Sequence, residues 1–93
     1  GPVHVVQLGA FRSAPKAKTL HRVLTKSSEA TLHGVDVRII ERSANNGDAL
    51  HYVETASIPD RKSAVELCQI LKGLGHDCVA IIRQQQGQVA TKN

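Results

Sequence analysis

Aromatic residues are nearly missing from this chain: one Phe, one Tyr and no Trp. A module that stacks bases or sugars on a row of rings needs several, so this poverty argues against that mode of binding. The longest apolar run is a few residues, too short for a transmembrane helix, and no direct membrane insertion by this segment is expected. Cysteine is sparse as well. Cys68 and Cys78 have nine residues between them and no CxxC or His-rich company, whereas a zinc site needs about four ligands at tighter spacing. No metal or other cofactor is therefore expected. Two buried thiols or one disulfide remain, and composition does not choose between them. A strong charge of one sign is also lacking. Twelve Lys and Arg against eight Asp and Glu leave +4, with five His in addition. That is too mild for a DNA-binding surface, yet it suits a partner carrying sparse carboxylates or phosphates.

What is present is an ordinary globular composition, 41% hydrophobic and 22% charged, in 93 residues. One domain with one core is the expectation. Gly1-Pro2 look like the scar of a protease-cleaved tag, so the chain reads as a segment of a longer protein. The domain is expected over 3–83, followed by a polar tail over 84–93.

Residues 3–11, VHVVQLGAF, read as a strand. Ser13 is a natural N-cap for a helix with Ala17, Leu20 and Leu24 on one face, and Pro15 is tolerable in its first turn. Val35, Val37 and Ile39 then alternate with Asp36, Arg38 and Ile40, the period of a half-buried strand. A turn at Asn45-Asn46-Gly47-Asp48 leads to a third strand from about Leu50 to Ile58. Asp60 caps a second helix with Ala64, Leu67, Cys68 and Leu71 inward, closing at Gly73 and Gly75. A fourth strand runs from Cys78 to Arg83. The order is β-α-β-β-α-β.

The two halves repeat each other at an offset of 47 positions, which matches Val6 with Val53, Ser13 with Asp60, Ala17 with Ala64, Leu20 with Leu67 and Leu24 with Leu71. Two such βα units predict an α+β fold of the ferredoxin-like or RNP-like kind, a four-stranded antiparallel sheet with both helices on one face. Val6 and Leu8 then point to the helices and Val5, Gln7 and Gly9 away from them. The open face is expected to carry Gln7, Arg38, Arg42, Tyr52 and Glu54. A three-residue loop with a left-handed Gly47 pairs positions whose numbers sum to 92, which keeps both apolar sets inward and sets Arg38 opposite Glu54. An exposed Arg38–Glu54 pair is the expectation from that register.

VQLGAF running into a capped helix, then an equivalent second unit reading ELCQILKGLGHDCVAI, resembles the SPOR (sporulation-related repeat) domain family. The resemblance covers about Val3 to Arg83, and the second unit is similar to the L-C-x-x-L-K-x-x-G-x-D-C-x-V pattern of many members. Two departures matter: Ala56-Ser57-Ile58 stand where G-P-F is common, and Glu54 stands where a basic or neutral polar residue is usual. The resemblance implies a non-catalytic module that binds peptidoglycan glycan strands stripped of their stem peptides, in the periplasm, at the division septum or other sites of wall remodelling. The parent is then a division protein or a cell-wall enzyme. It also implies a Cys68–Cys78 disulfide, since such bonds persist in that compartment.

On that reading Gln7 donates to and accepts from sugar hydroxyls and acetamides. Arg38 and Arg42 suit the lactyl carboxylates that stem-peptide removal exposes. Ser13 is a cap first and a possible ligand contact second. Neither a nucleophile-and-base arrangement nor a paired acid and base stands out, so the chain reads as a non-enzyme. Two alternatives share the element order: an RNA-binding module of the RNA-recognition-motif type, and a ferredoxin-like protein-interaction domain. The first needs aromatics on the central strands, where only Tyr52 is available, and nucleic acid is not the expected partner.

Overall fold

The computed structural model describes residues 2–27, 32, 34–43 and 46–84. The elements follow the expected order: β1 (Pro2–Phe11), α1 (Ala14–Ser27), β2 (Val37–Ser43), β3 (Ala49–Thr55), α2 (Arg61–Gly73) and β4 (Val79–Gln84). Nearly all of the tail assigned to 84–93 lies outside the described residues, as does Asn45 of the β2–β3 turn. Of that tail, Gln84 is the last residue of β4, paired with Pro2.

Each helix starts where a side chain satisfies its first free N–H groups. Ser13 Oγ accepts from the Lys16 N–H at 3.4 Å, and Asp60 Oδ1 accepts from the Ser63 N–H at 2.7 Å. That second bond holds the Asp60 carboxyl below its ordinary pKa. At the far end of α2, the His76 N–H returns to the Leu71 carbonyl and the Gly75 N–H to that of Lys72, both at 3.0 Å. This termination needs a left-handed residue between them, and Gly75 supplies it with φ of +96°.

The strands form one antiparallel sheet in the order β2-β3-β1-β4. Val6, Leu8, Val37 and Val53 point to one side and pack there with Ala17 and Leu24 of α1 and with Ala64, Cys68 and Leu71 of α2. The matched positions of the two halves behave alike: Val6 and Val53 are fully buried, as are Leu24 and Leu71, and Leu20 and Leu67 both flank the core. Cys68 and Cys78 are disulfide-bonded across a Cα–Cα distance of 5.6 Å, joining α2 to the residue before β4. His21 ties α1 to the edge strand by donating from Nε2 to the Val37 carbonyl at 2.8 Å.

The β2–β3 register runs from Val37 opposite Thr55 to Ser43 opposite Ala49, with Gly47 left-handed at φ of +88°. It is the register that the alternation of both strands requires.

Four expectations change. Gly9 does not point away from the helices. A bulge between Gln7 and Gly9 shifts the β1–β3 register by one residue, and a one-residue shift reverses the faces. A Cβ on Gly9 would lie 2.9 Å from Leu20 Cδ2 and 2.8 Å from Phe11 Cε2, so any larger residue there must push the ends of these side chains aside. Val5 does face away from the helices, yet it is buried rather than solvated. The third strand ends at Thr55, and Ile58 makes only an isolated bridge to His4. Ile39 has the inward register opposite Val53, but on an edge strand it keeps 36% of its surface exposed.

Candidate functional site

The sheet face away from the helices carries a polar cluster built from three strands. At its centre is Glu54 of β3, opposite Gln7 of β1 on one side and Arg38 of β2 on the other. Glu54 is only 2% exposed. An ionised carboxylate so buried must be paired, and both of its oxygens are. Arg83 of β4 reaches over β1 to give Oε2 two hydrogen bonds, from Nε at 3.2 Å and from Nη2 at 3.0 Å. Arg42 of β2 approaches Oε1 from the opposite edge at 3.4 Å, a long contact. Arg83 Nη2 also donates to Gln7 Oε1 at 3.0 Å.

Tyr52 completes the cluster. The Arg42 and Arg83 guanidinium carbons lie 5.2 and 5.1 Å from the centre of its ring, within the range of cation–π attraction. The Nη1 of Arg42 is buried and has no hydrogen-bond acceptor among the described residues. With two arginines around one carboxylate, the cluster is cationic by one charge.

The expected site residues are thus brought together in part. Gln7, Arg42, Tyr52 and Glu54 form one connected group. Arg38 stands in register opposite Glu54, as the loop argument requires, but the expected ion pair between them is not made. Glu54 is buried rather than exposed, and its partners are Arg42 and Arg83. Arg38 remains exposed. Ser13 caps α1 and takes no part in the cluster.

Arg83 is the residue that sequence reasoning missed. The β4–β1 register sets Val79 beside Gln7, just as the β2–β3 register sets Arg38 beside Glu54. Arg83 and Arg42 each lie four residues further on, so they occupy equivalent places in the two halves. The signal was hidden because β2 and β4 are related by 41 positions rather than 47. Most of that difference lies in the connection into β4, which is shorter, with α2 ending at Gly73 and β4 starting at Val79, against Ser27 and Val37 in the first half.

The fold matches the solution structure of the peptidoglycan-binding domain of the B. subtilis cell wall lytic enzyme CwlC. The TM-score is 0.62 and the identity 24%, over 90% of this chain and 92% of that one. It also matches the crystal structure of the RlpA SPOR domain from Pseudomonas aeruginosa, with a TM-score of 0.66 and 17% identity, over 87% of this chain and 99% of that one. The chain has a SPOR-like fold. Neither a protein-family model nor a curated protein sequence matches it, so the likeness is one of architecture. Within this SPOR-like fold the cluster lies on the sheet face that the helices leave uncovered, at the junction of the two repeated halves.

Proposed function

We propose that this chain is a non-catalytic domain that binds the glycan strands of peptidoglycan, with preference for strands that have lost their stem peptides. On this reading it holds a larger division or cell-wall protein in the envelope, where such strands accumulate at the septum. The observation that carries the proposal is the Gln7–Arg83–Glu54–Arg42 cluster on the open face of a SPOR-like fold. It offers amide, guanidinium and phenol groups to sugar hydroxyls, acetamides and carboxylates.

RNA binding is the weaker reading for a specific reason. Tyr52 already has two guanidinium groups against its ring, and Phe11 lies on the helix side, packed against the core. Neither ring is offered as a stacking surface for a base. The test is co-sedimentation with purified sacculi, untreated and amidase-treated, beside a single-stranded RNA arm. Stronger retention on amidase-treated sacculi is expected. Equal retention on both would remove the preference for denuded strands, and binding to RNA alone would replace the proposal.

A further inference from the structure

We propose that Glu54 is a built-in carboxylate that sets how much positive charge this face offers, occupying Arg42 and Arg83 so that Arg38 is the cation that reads an acidic group on the ligand. The inference deepens the glycan reading and rests on it. Three arginines stand on the outer side of the sheet, but they are not equivalent. Arg83 is committed by three hydrogen bonds, two to Glu54 and one to Gln7. Arg42 has one long contact to Glu54 and covers the Tyr52 ring. A ligand carboxylate approaching either of them meets the charge of Glu54 at the same guanidinium.

Arg38 is different. It lies beside Glu54 in the register, it is exposed, and no ion pair holds it among the described residues. An exposed arginine beside two others that already share one carboxylate pairs with one ligand carboxylate at a time. The ligand class is an oligosaccharide carrying single, spaced carboxylates, such as the free lactyl groups of muramic acid.

Exchanging Glu54 for Gln leaves a side chain of the same shape with only one acceptor oxygen. Arg83 keeps the better geometry for that oxygen, because Gln7 already anchors it. Arg42 is therefore the group released toward the ligand.

The experiment uses peptide-free glycan oligosaccharides as probe, once with free lactyl carboxylates and once with those carboxylates converted to methylamides. Affinities are measured at low and high salt. The parent protein should prefer the free acid by about two- to fivefold, the range of one exposed ion pair. R38Q should lose that preference, its acid-to-amide affinity ratio falling to about one. E54Q should bind the acid about threefold more tightly at low salt, with the gain shrinking as salt screens it, and its acid-over-amide ratio should rise with it. R42Q, which removes a guanidinium already shared with the Glu54 carboxylate, should change the preference less than R38Q does, which keeps the test decisive if E54Q fails to fold. Retained preference in R38Q, unchanged or weaker acid binding by folded E54Q, or a larger effect of R42Q would overturn the inference. A parent protein that binds both probes equally overturns it as well, with the glycan reading intact. A parent that binds neither overturns the glycan reading itself.

Discussion

Gln7 and Glu54 face each other across the two central strands and stand 47 positions apart, at the same point of the two repeated halves. Equivalent points of the two halves therefore meet at the centre of the sheet. An amide on one side and a carboxylate on the other make the centre of the sheet chemically lopsided, and the two edge-strand arginines both lean toward the acid.

That arrangement makes Glu54 structural as well as electrostatic. Glu54→Ala would leave Arg42 and Arg83, whose side chains are only 28% and 25% exposed, without their counter-ion. Breaking a buried pair by removing one partner costs about 3–5 kcal/mol, and the lower end applies where the remaining charges can turn to water. Urea denaturation should show a loss near about 3 kcal/mol for Glu54→Ala and a smaller one for Glu54→Gln. Equal stability of Glu54→Ala and the parent would mean that the cluster contributes no net stability.

The β1 bulge makes a sharp prediction at Gly9. A methyl group there meets the side-chain ends of Leu20 and Phe11 at under 3 Å, so Gly9→Ala should destabilise the fold by about 1 kcal/mol, the low end for overpacking, because these ends can shift. Combined with Leu20→Ala, the loss should be less than additive, because the second change opens room for the first. Strict additivity in a double-mutant cycle would show that the contact is relieved elsewhere.

The Cys68–Cys78 bond closes a short loop, and in the chain-entropy account it contributes about 2–3 kcal/mol. Reduction, or replacement of both cysteines by Ser, should lower the melting temperature accordingly. The folded, unreduced protein should take up no thiol reagent. Two labelled sites without reductant would rule the bridge out.

Asp60 predicts a pH dependence. Its carboxylate accepts a hydrogen bond from the Ser63 N–H, which lowers its folded pKa below the ordinary value. Because the folded pKa lies below the unfolded one, the stabilisation is present above the unfolded value, about 3.9, and fades as pH falls through the folded value. Asp60→Ala should lower the melting temperature at pH 7 and flatten its decline below about pH 4. A parallel acid profile in parent and variant would place that sensitivity in other carboxylates.

Much of the fold was legible because local signals agreed with one another. Ser13 and Asp60 cap helices where matched core positions begin, and the alternation around Val37 and Val53 allows only one hairpin register. The faces along β1 were legible only up to Gln7, since a bulge leaves no mark in hydrophobic periodicity when small residues such as Gly9 and Ala10 follow it. The site was legible as a set of outward residues and not as a set of bonds. Placing Arg38 opposite Glu54 was correct, but proximity in register does not decide which arginine an acid takes. Arg83 comes from a strand two places away, and its reach over β1 depends on the relative length of the two helix-to-strand connections.

The covalent tie between α2 and the start of β4 has a consequence at a distance from the sulfurs. β4 is an edge strand, bound to the sheet along one side only, so fewer hydrogen bonds hold it than hold a central strand. Cys78 anchors β4 at its entrance, immediately before Val79, and Arg83 sits five residues downstream. A reducing medium, by slackening that anchor, would shorten the time the arginine spends over Gln7 and Glu54. The composition of the open face would then track the oxidation state of two atoms buried behind it.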